Sequence, residues 1–418
     1  MARASRAATV GAMRSTSIRA AAVLAGALLL TAAACASPAS EPTAPRVPLT
    51  LPAPTGPAPI GTLELHLVDH DRTDPFAATP DRLRELVVSI WYPARPGPDA
   101  PRAPYLAPEV ADFYDRQAAA LGVPSGTADF AGIGTHAAQR APVADGATGL
   151  PVVLYSPGGN QSRALGTTLV EELASHGYVV VTIDHTYSGP VRFPDRTELA
   201  APDLDKALIM QQRARDTGFV LDQLALVAAG SDPDAQHRGL PPGVAEALDL
   251  SRVGMFGHSA GGFTTAEAML TEERIDAGAN LDGSMPPEYG QAAPGGSSRP
   301  FLLVGGGTSG SDAHPHHHGA APDWAAFWDA STGWKRDLHL PDAEHMSFTD
   351  LQVLLPQIDR AVPIADEALT GRIGTIDPAR SLAVQRRSIT AFFDEHLKGR
   401  TGAFDGAAAQ DPDARLVP

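Results

Sequence analysis

A serine flanked by glycines, Gly257-His258-Ser259-Ala260-Gly261, is the segment whose residue types most directly suggest chemistry. The G-x-S-x-G pattern places a serine on a sharp strand-to-helix turn, and its glycines leave room for a tight backbone. The pattern is common by chance, but here an apolar run at 252–256 precedes it and a helical run follows it. We therefore predict that Ser259 is a nucleophile. The alternative is a glycine-rich turn without chemistry.

Histidines further along the chain are the candidate bases, because a nucleophilic serine needs an imidazole to take its proton. His345 lies in a turn just after the last apolar strand run, where its ring could reach the serine, so we predict that it is the base. His339 lies in a strand pattern and His396 on the closing helical run, so we expect both to be structural. The other downstream histidines cluster in a glycine-rich loop that could bind a metal adventitiously, but we predict no functional metal site. They are His314, His316, His317 and His318.

The base needs a carboxylate that orients its ring, and aspartates after the strand runs are the candidates. Asp282 ends an apolar strand run and begins the sequence Asp-Gly-Ser, so its carboxylate would lie at the upper edge of a sheet beside the serine. Asp312 follows the next strand run and competes with it, and Asp342 is a weaker candidate. An aspartate at a strand end is also a common turn former. The residues alone therefore leave this choice open.

Two backbone N–H groups are expected to stabilise the charge that develops on a carbonyl oxygen when a serine attacks it. One should belong to Ala260, the residue after the serine. The other should come from the loop Ser156-Pro157-Gly158-Gly159-Asn160, whose glycines let a ligand approach the backbone closely. We predict Gly159 as this second donor; the alternative is that the loop is only a turn.

Apolar runs of strand length alternate with longer helical runs after residue 60, and this alternation must position the residues above. The first two runs, Gly61–Leu67 and Glu85–Tyr92, alternate in polarity and predict an antiparallel opening pair of strands. The later strand runs are continuously apolar, which indicates a mostly parallel central sheet with helices on both faces. We therefore predict a single α/β domain over residues 61–400.

The N-terminal segment 1–35 combines arginines, a short apolar run and small residues without any acidic residue, which is typical of a secretory signal peptide. Cys35 follows three alanines, as the lipidated cysteine of a bacterial lipoprotein does, so we predict a lipoprotein signal. The alternative is ordinary signal cleavage nearby. Both interpretations predict an exported protein, either held in the cell envelope or secreted. Residues 36–60 are expected to form a Pro/Ala-rich linker, and 401–418 a flexible tail.

The formal net charge of −16 at pH 7 narrows the possible partners. Nucleic acid and an anionic membrane surface are disfavoured as main partners, because like charges repel. Cys35 is the only cysteine, which excludes an intrachain disulfide and a cysteine-rich metal site.

Several segments together resemble an α/β-hydrolase and, within that fold, the platelet-activating-factor acetylhydrolase family. They occur in the family's order over most of residues 61–398. The segments are VSIWYPA (88–94), VVLYSPGGNQSR (152–163), ELASHGYVVVTIDHTY (172–187), GHSAGG (257–262), NLDGSM (280–285) and HMSFTD (345–350). The Ser-Pro-Gly loop and the Gly-His-Ser segment also resemble secreted cutinase-like polyester hydrolases.

The resemblance implies hydrolysis of short acyl esters, of the 1-alkyl-2-acetylglycerophosphocholine esterase type, without a cofactor. It maps the catalytic triad to Ser259, Asp282 and His345, and the oxyanion donors to Gly159 and Ala260. The implied partner is a small-molecule or lipid ester, with a membrane tether through a lipidated Cys35.

Two alternative functions stay open at this point. The first is another ester hydrolase with the same machinery, such as a cutinase, a polyester hydrolase or a dienelactone-hydrolase-like esterase. The second is a binding-only envelope lipoprotein that uses this fold without catalysis, which the presence of all three triad residue types disfavours.

Overall fold

The computed structural model describes residues 46–200, 205–308, 314–408 and 411–418. Its strands, in chain order, are β1 (Val47–Pro48), β2 (Ile60–Thr73), β3 (Leu83–Pro93), β4 (Arg102–Pro104), β5 (Ala128–Asp129), β6 (Gly134–Gln139), β7 (Leu150–Ser156), β8 (Val179–Asp184), β9 (Val191–Arg192), β10 (Thr197–Glu198), β11 (Leu248–His258), β12 (Ile275–Leu281), β13 (Phe301–Gly305), β14 (Lys335–His339) and β15 (Arg415–Leu416). Its helices are α1 (Pro108–Ala119), α2 (Thr167–Ser175), α3 (Lys206–Ala228), α4 (Val244–Ala247), α5 (Ala260–Thr271), α6 (Ala292–Gly295), α7 (Pro322–Ala330), α8 (Leu351–Asp359), α9 (Asp366–Ile373), α10 (Pro378–Lys398) and α11 (Ala403–Ala408). Short 3₁₀ turns cover Arg163–Gly166 and His345–Phe348.

An 11-stranded sheet in the order β15-β14-β13-β12-β11-β7-β8-β3-β2-β6-β4 forms the centre of the described residues. The run from β8 through β7, β11, β12 and β13 to β14 is parallel throughout. The opening pair β2 and β3 is antiparallel, as predicted, and β3 joins β8 in antiparallel fashion. The predicted α/β fold with a mostly parallel sheet is confirmed.

Both faces of this sheet are covered because the central strands are apolar on both sides. Successive side chains of β11 alternate between the two cores: Met255 packs into one and Phe256 into the other. Helices α3 and α5 cover the first face, through side chains such as Leu224 and Phe263. Helices α2 and α10 cover the second, where Phe392 is fully buried.

Helix α3 begins where the Asp205 side chain accepts a hydrogen bond from the Leu208 N–H at 3.1 Å, which satisfies one of the free donors of its first turn. The helix then runs across the sheet to Ala228. It carries an arginine and an aspartate, Arg213 and Asp216, on its buried face, and Arg213 contacts the loop that follows β7.

The leader and Cys35 lie outside the described residues, as does the first part of the predicted linker. The rest of that linker is corrected by the structure, because residues 46–60 pack onto the domain instead of extending away from it. Leu49 and Leu51 are buried in a third apolar cluster with Tyr105 of the segment between β3 and β6. Burying two leucines favours the docked path over a solvated tether.

The predicted flexible tail is also corrected. Residues 403–408 form α11, and Phe404 is fully buried against the ring of Trp334. Beyond it, β15 adds an antiparallel edge strand to β14. The tail is ordered because it covers apolar side chains and pairs the exposed edge of the sheet.

Candidate active site

The G-x-S-x-G segment forms the sharp turn that the sequence predicts, between the end of β11 and the start of α5. Ser259 adopts φ 55° and ψ −123°, a strained conformation for a residue with a side chain. The flanking glycines make this turn possible through close packing: a Cβ on Gly261 would lie 1.8 Å from the Ser156 carbonyl oxygen, and one on Gly257 would lie 2.3 Å from the Gly261 carbonyl carbon. The turn therefore presents Ser259 above the carboxyl end of the sheet.

The structure brings the predicted nucleophile, base and acid together, although 86 and 63 residues separate His345 from the other two. His345 Nε2 lies 3.0 Å from Ser259 Oγ, and its Nδ1 lies 2.5 Å from Asp282 Oδ2. A carboxylate can only accept, so Nδ1–H donates to Asp282 and the lone pair of Nε2 faces the serine hydroxyl. This is the geometry that lets an imidazole take a proton from a serine.

Asp282 lies at the carboxyl end of β12 and is fully buried. Its second oxygen, Oδ1, accepts hydrogen bonds from the Gly306 N–H and from His316 Nδ1, each at 2.9 Å. Burial would raise the pKa of Asp282, but His316 and His345 together hold it well below its ordinary value. The carboxylate therefore stays charged at neutral pH and fixes the orientation of His345.

Of the two rival aspartates, Asp342 does not occupy this position, because it is exposed at the surface; Asp312 lies outside the described residues. His339 and His396 do not approach the serine either. His339 bonds the Gly306 carbonyl oxygen at 2.8 Å, and His396 packs edge-on against Trp334.

His316 is a functional-site residue that the sequence analysis missed. Its ring is buried, lies 4.0 Å centroid to centroid from the ring of Trp324, and donates to Asp282. The neighbouring His318 instead stacks on Trp328 and bonds Asp337. Nothing in the local sequence distinguishes the two histidines, because only the path of the loop after β13 decides which ring faces Asp282.

We expect His316→Phe to lower kcat for p-nitrophenyl acetate by about 10- to 100-fold, because it removes a hydrogen bond to a buried carboxylate. The phenyl ring keeps the contact with Trp324, so folding should be retained. His318→Phe is the matched control, since it removes the equivalent bond to Asp337 and keeps a ring on Trp328. A folded H316F enzyme with the kcat of the wild type would contradict this role.

The predicted oxyanion donors lie side by side next to the serine. A Cβ built on Gly159 would be 3.9 Å from the Ala260 Cβ, and both residues line the cavity that contains Ser259. Within the described part of the chain, neither N–H donates a hydrogen bond to another protein group. Ala260 is also the first residue of α5, where free N–H groups favour negative charge. Both groups are thus free to bind an oxyanion.

His258 fixes the backbone of the base, and Gln161 lies between its ring and the loop that carries Gly159. His258 Nε2–H donates to the backbone carbonyl oxygen of His345 at 2.8 Å, and its other nitrogen, which carries no proton in this tautomer, lies 3.1 Å from Gln161 Oε1. Gln161 Oε1 accepts from the Gly158 N–H at 3.0 Å. Burial lowers the pKa of His258 to about 3, so its ring is neutral. The backbone of His345 is therefore held by a fixed N–H donor.

A cavity of about 340 Å³ opens beside Ser259 and His345. Its walls are mainly apolar, and the side chains that form them come from α3, α5 and the loop after β12: Ile209, Met210, Phe263, Pro286 and Tyr289. Lys206 lies at the mouth, with its ammonium 5.3 Å from the centre of the Tyr289 ring. A pocket of this size lies near the lower end of the range for small-molecule sites.

Among the residues that the structure describes, no group of three or more His, Cys, Asp or Glu side chains is arranged to hold a metal ion. The described members of the histidine cluster point to different partners, with His316 on Asp282 and His318 on Asp337. Within the same residues, no helix is both long and apolar enough to cross a membrane.

Comparisons with known proteins agree with this architecture. The family model for platelet-activating factor acetylhydrolase, isoform II, matches residues 79–192. A probable 1-alkyl-2-acetylglycerophosphocholine esterase from Arthroderma benhamiae is 26% identical over 279 residues, covering 63% of this chain and 65% of that protein. The platelet-activating factor acetylhydrolase of Gallus gallus is 22% identical over 291 residues, covering 59% and 62%. The matches thus span a little under two thirds of either curated relative.

A solved structure gives a longer match. The ferulic acid esterase from Streptomyces cinnamoneus is 35% identical, with a TM-score of 0.71, and the match covers 88% of this chain and 99% of that one. The sheet, the serine turn and this similarity define the chain as an α/β-hydrolase. It belongs to the same family as this esterase, and the family model and both curated relatives show that it is also similar to the platelet-activating factor acetylhydrolases.

Proposed function

We propose that this protein hydrolyses short acyl esters through an acyl-enzyme on Ser259. The observation that supports this most directly is the alignment of Ser259 Oγ, the His345 ring and Asp282 Oδ2, with contacts of 3.0 and 2.5 Å. The free N–H groups of Gly159 and Ala260 lie on the same side of the serine as the cavity. Nucleophile, base and oxyanion donors therefore face one space that a small ester could fill.

In the acylation half of the proposed reaction, His345 Nε2 takes the Ser259 proton while Oγ bonds to the ester carbonyl carbon. The carbonyl oxygen becomes an oxyanion, which Gly159 and Ala260 stabilise by about 3–4 kcal/mol per donor in comparable sites. The resulting imidazolium is stabilised by Asp282 and donates its proton to the alcohol oxygen as the C–O bond breaks.

In the deacylation half, a water molecule takes the place of the alcohol. His345 removes its proton, the water oxygen attacks the acyl carbon, and the same N–H groups stabilise the second oxyanion. Collapse of this intermediate returns the proton to Ser259 and releases the carboxylic acid. Both halves use the chain's own residues without a cofactor.

The acyl group of the ester substrate has two candidates. Acetyl esters are the first candidate, because the curated relatives are named as a 1-alkyl-2-acetylglycerophosphocholine esterase and as an acetylhydrolase. Aromatic acyl esters are the second candidate, because a ferulic acid esterase is similar over 88% of this chain and the cavity includes the rings of Phe263 and Tyr289. The cavity volume of about 340 Å³ favours either of these over a long unbranched acyl chain.

A series of esters with one alcohol tests this proposal. We expect p-nitrophenyl acetate and butyrate to be hydrolysed with similar kcat/KM, and the palmitate at least about 100-fold more slowly, because the long chain exceeds what the cavity of about 340 Å³ beside Ser259 can hold. Methyl ferulate and a 2-acetyl glycerophospholipid then separate the aromatic from the lipid substrate. Equal rates for acetate and palmitate would contradict a short-acyl site.

We also propose that the protein is exported and that Cys35 becomes a lipid-bearing N-terminus. The support is the order of arginines, apolar run and small residues before this cysteine. The mass of the mature N-terminal peptide from the native host tests it: diacylglyceryl-Cys35 is expected. Cleavage elsewhere without lipid would replace this proposal with ordinary secretion.

A further inference from the structure

A buried arginine on α3 contacts the loop that carries Gly159 and borders the cavity beside Ser259. Arg213 is fully buried, and its guanidinium donates to the Pro157 carbonyl oxygen and, at 2.9 Å, to Ser156 Oγ. Both acceptors belong to the loop that carries Gly159. Both bonds come from Nη2, so one nitrogen holds this loop at two adjacent residues, while Nε and Nη1 are left for other partners, a spread of donors that a lysine cannot reproduce.

The same guanidinium also reaches the helix that carries the other donor. Arg213 Nε donates to Thr264 Oγ1 at 2.7 Å, and this hydroxyl donates in turn to the Ala260 carbonyl oxygen at 2.7 Å. A further nitrogen donates to Ser188 Oγ at 2.6 Å, and the Ser188 carbonyl oxygen accepts from the Asn160 N–H at 2.6 Å. Arg213 is thus linked to the chain on both sides of the oxyanion site.

Behind the loop, a second Ser-His-Asp chain fixes Ser156. His185 lies 2.9 Å from Ser156 Oγ through Nε2 and 3.0 Å from Asp216 Oδ2 through Nδ1. Asp216 is held in turn by Arg84 through a bidentate pair at 2.6 and 3.0 Å. All of these side chains are fully or almost fully buried.

The directions of these bonds follow from the groups involved. Burial and the charge of Arg213 lower the pKa of His185 to about 4, so the ring is neutral. Asp216 accepts from Nδ1–H, which leaves Nε2 to accept the Ser156 hydroxyl proton. The Ser156 oxygen then accepts from Arg213. Every member has a partner, and buried networks of this kind define a single arrangement.

This second Ser-His-Asp chain is not a second nucleophilic site. Ser156 is fully buried at the end of β7, and its oxygen already accepts a hydrogen bond from a cation. A substrate could not reach it, and a serine oxygen that accepts from a guanidinium is a poor nucleophile. The arrangement must therefore act on the structure of the loop and not on a substrate.

We propose that Arg213 is a positioning residue for ester hydrolysis, which fixes the separation of the Gly159 and Ala260 N–H groups and so sets the geometry of the oxyanion hole. This inference rests on the proposed function of Ser259. Such preorganisation matters because the donors act on an oxygen whose charge exists only in the transition state. Arg213 and the Ser156–His185–Asp216 chain then form one support for a loop that has few apolar contacts of its own.

The charge of Arg213 contributes to the same site. Within the described ranges of the chain, no carboxylate forms an ion pair with Arg213, because His185 separates it from Asp216. Burial lowers its pKa to about 9, so it is still a cation at pH 7. A buried positive charge that borders the same cavity as the donors favours an oxyanion that develops there.

The test compares Arg213→Lys and Arg213→Met with the wild type, using p-nitrophenyl acetate as substrate. A trifluoromethyl ketone serves as a probe of the oxyanion hole, since Ser259 Oγ adds to its carbonyl carbon and leaves an oxyanion there. We expect kcat to fall about 10-fold in R213K and 100-fold or more in R213M, with KM within about threefold of the wild type. The inhibition constant of the ketone should rise by the same factors as kcat falls.

Arg386→Met is the matched control, because Arg386 is also buried and bonds three backbone carbonyl oxygens, but on α10 away from the serine. It should lose stability and keep kcat. If R213M does not fold, Ser156→Ala and R213K decide by the same readouts, since S156A removes only one hydroxyl from the loop.

The inference is overturned if the folded Arg213 variants and S156A have a kcat within about threefold of the wild-type value. It is also overturned if their kcat falls while the inhibition constant of the ketone stays unchanged. The failure of the proposed function looks different. In that case, the wild-type protein itself neither hydrolyses p-nitrophenyl acetate nor binds the ketone.

Discussion

Ser259→Ala is expected to lower kcat for p-nitrophenyl acetate by about 10⁵-fold or more, because it removes the atom that forms the acyl-enzyme. The oxyanion donors and the cavity stay in place, so a residual rate above that of water should persist. Alanine fits the turn as well as serine does, since the strain at φ 55° belongs to the backbone and not to the hydroxyl. The melting temperature should therefore stay close to that of the wild type.

The control for S259A is Ser388→Ala, a buried serine on α10 outside the site. S388A should hydrolyse the ester at the wild-type rate. An S259A protein that is folded and retains more than a few per cent of the activity would show that another group performs the attack.

Asp282→Asn has the second largest expected effect, a fall in kcat of about 10⁴-fold, because it disturbs the orientation and tautomer of His345. The two oxygens of Asp282 accept three hydrogen bonds, from His345, His316 and the Gly306 N–H. An amide has only one oxygen, so one histidine must face an NH₂ group. If this is His345, its Nδ1 becomes an acceptor and Nε2 carries the proton, which leaves no base for Ser259.

Asp337→Asn is the matched control for D282N. Asp337 is also fully buried and also accepts from a histidine, His318, at 2.7 Å, but it does not contact the serine or its base. D337N should lower the melting temperature and leave kcat within about twofold, since only a structural hydrogen bond is altered. Equal losses of kcat in D282N and D337N would mean that general damage to the fold causes both.

The sheet could be predicted from the sequence because its signals are local. The continuously apolar runs of β7, β8 and β11 indicate buried parallel strands, and each lies where the pattern places it. The turn at Ser259 is equally local, since two glycines and the flanking runs define it. The positions of Asp282 and His345 follow from the fold itself, because the carboxyl ends of parallel strands meet at one edge of the sheet.

The buried side chains that hold the catalytic residues in place could not be predicted from such local signals. His316 and His318 lie two residues apart in one run of histidines, and only the loop path turns one ring to Asp282 and the other to Asp337. Arg213 lies on a helix with many polar residues, where an arginine normally faces solvent. Its burial depends on partners from three other segments of the chain. Such long-range pairs leave no periodic signal.

The packing of the two ends of the chain onto the domain could not be predicted, for a related reason. Proline-rich and alanine-rich segments have no apolar period, so the sequence favours solvated tethers. A few apolar residues, Leu49, Leu51 and Phe404, are enough to dock these segments onto clusters that other parts of the chain supply. The composition of a segment describes only that segment, whereas the apolar surface onto which it packs is formed by residues from other parts of the chain.

The most direct test of the account is to identify the residue that a fluorophosphonate modifies. The reagent needs an activated serine, which displaces its fluoride, and an oxyanion hole that receives its phosphoryl oxygen; among the residues that the structure describes, Ser259 is the serine that has both. Mass spectrometry of the intact protein should show one adduct, and the peptide that contains Gly257–Gly261 should carry it on Ser259. No adduct, or an adduct on Ser156 with Ser259 unmodified, would contradict the central claim.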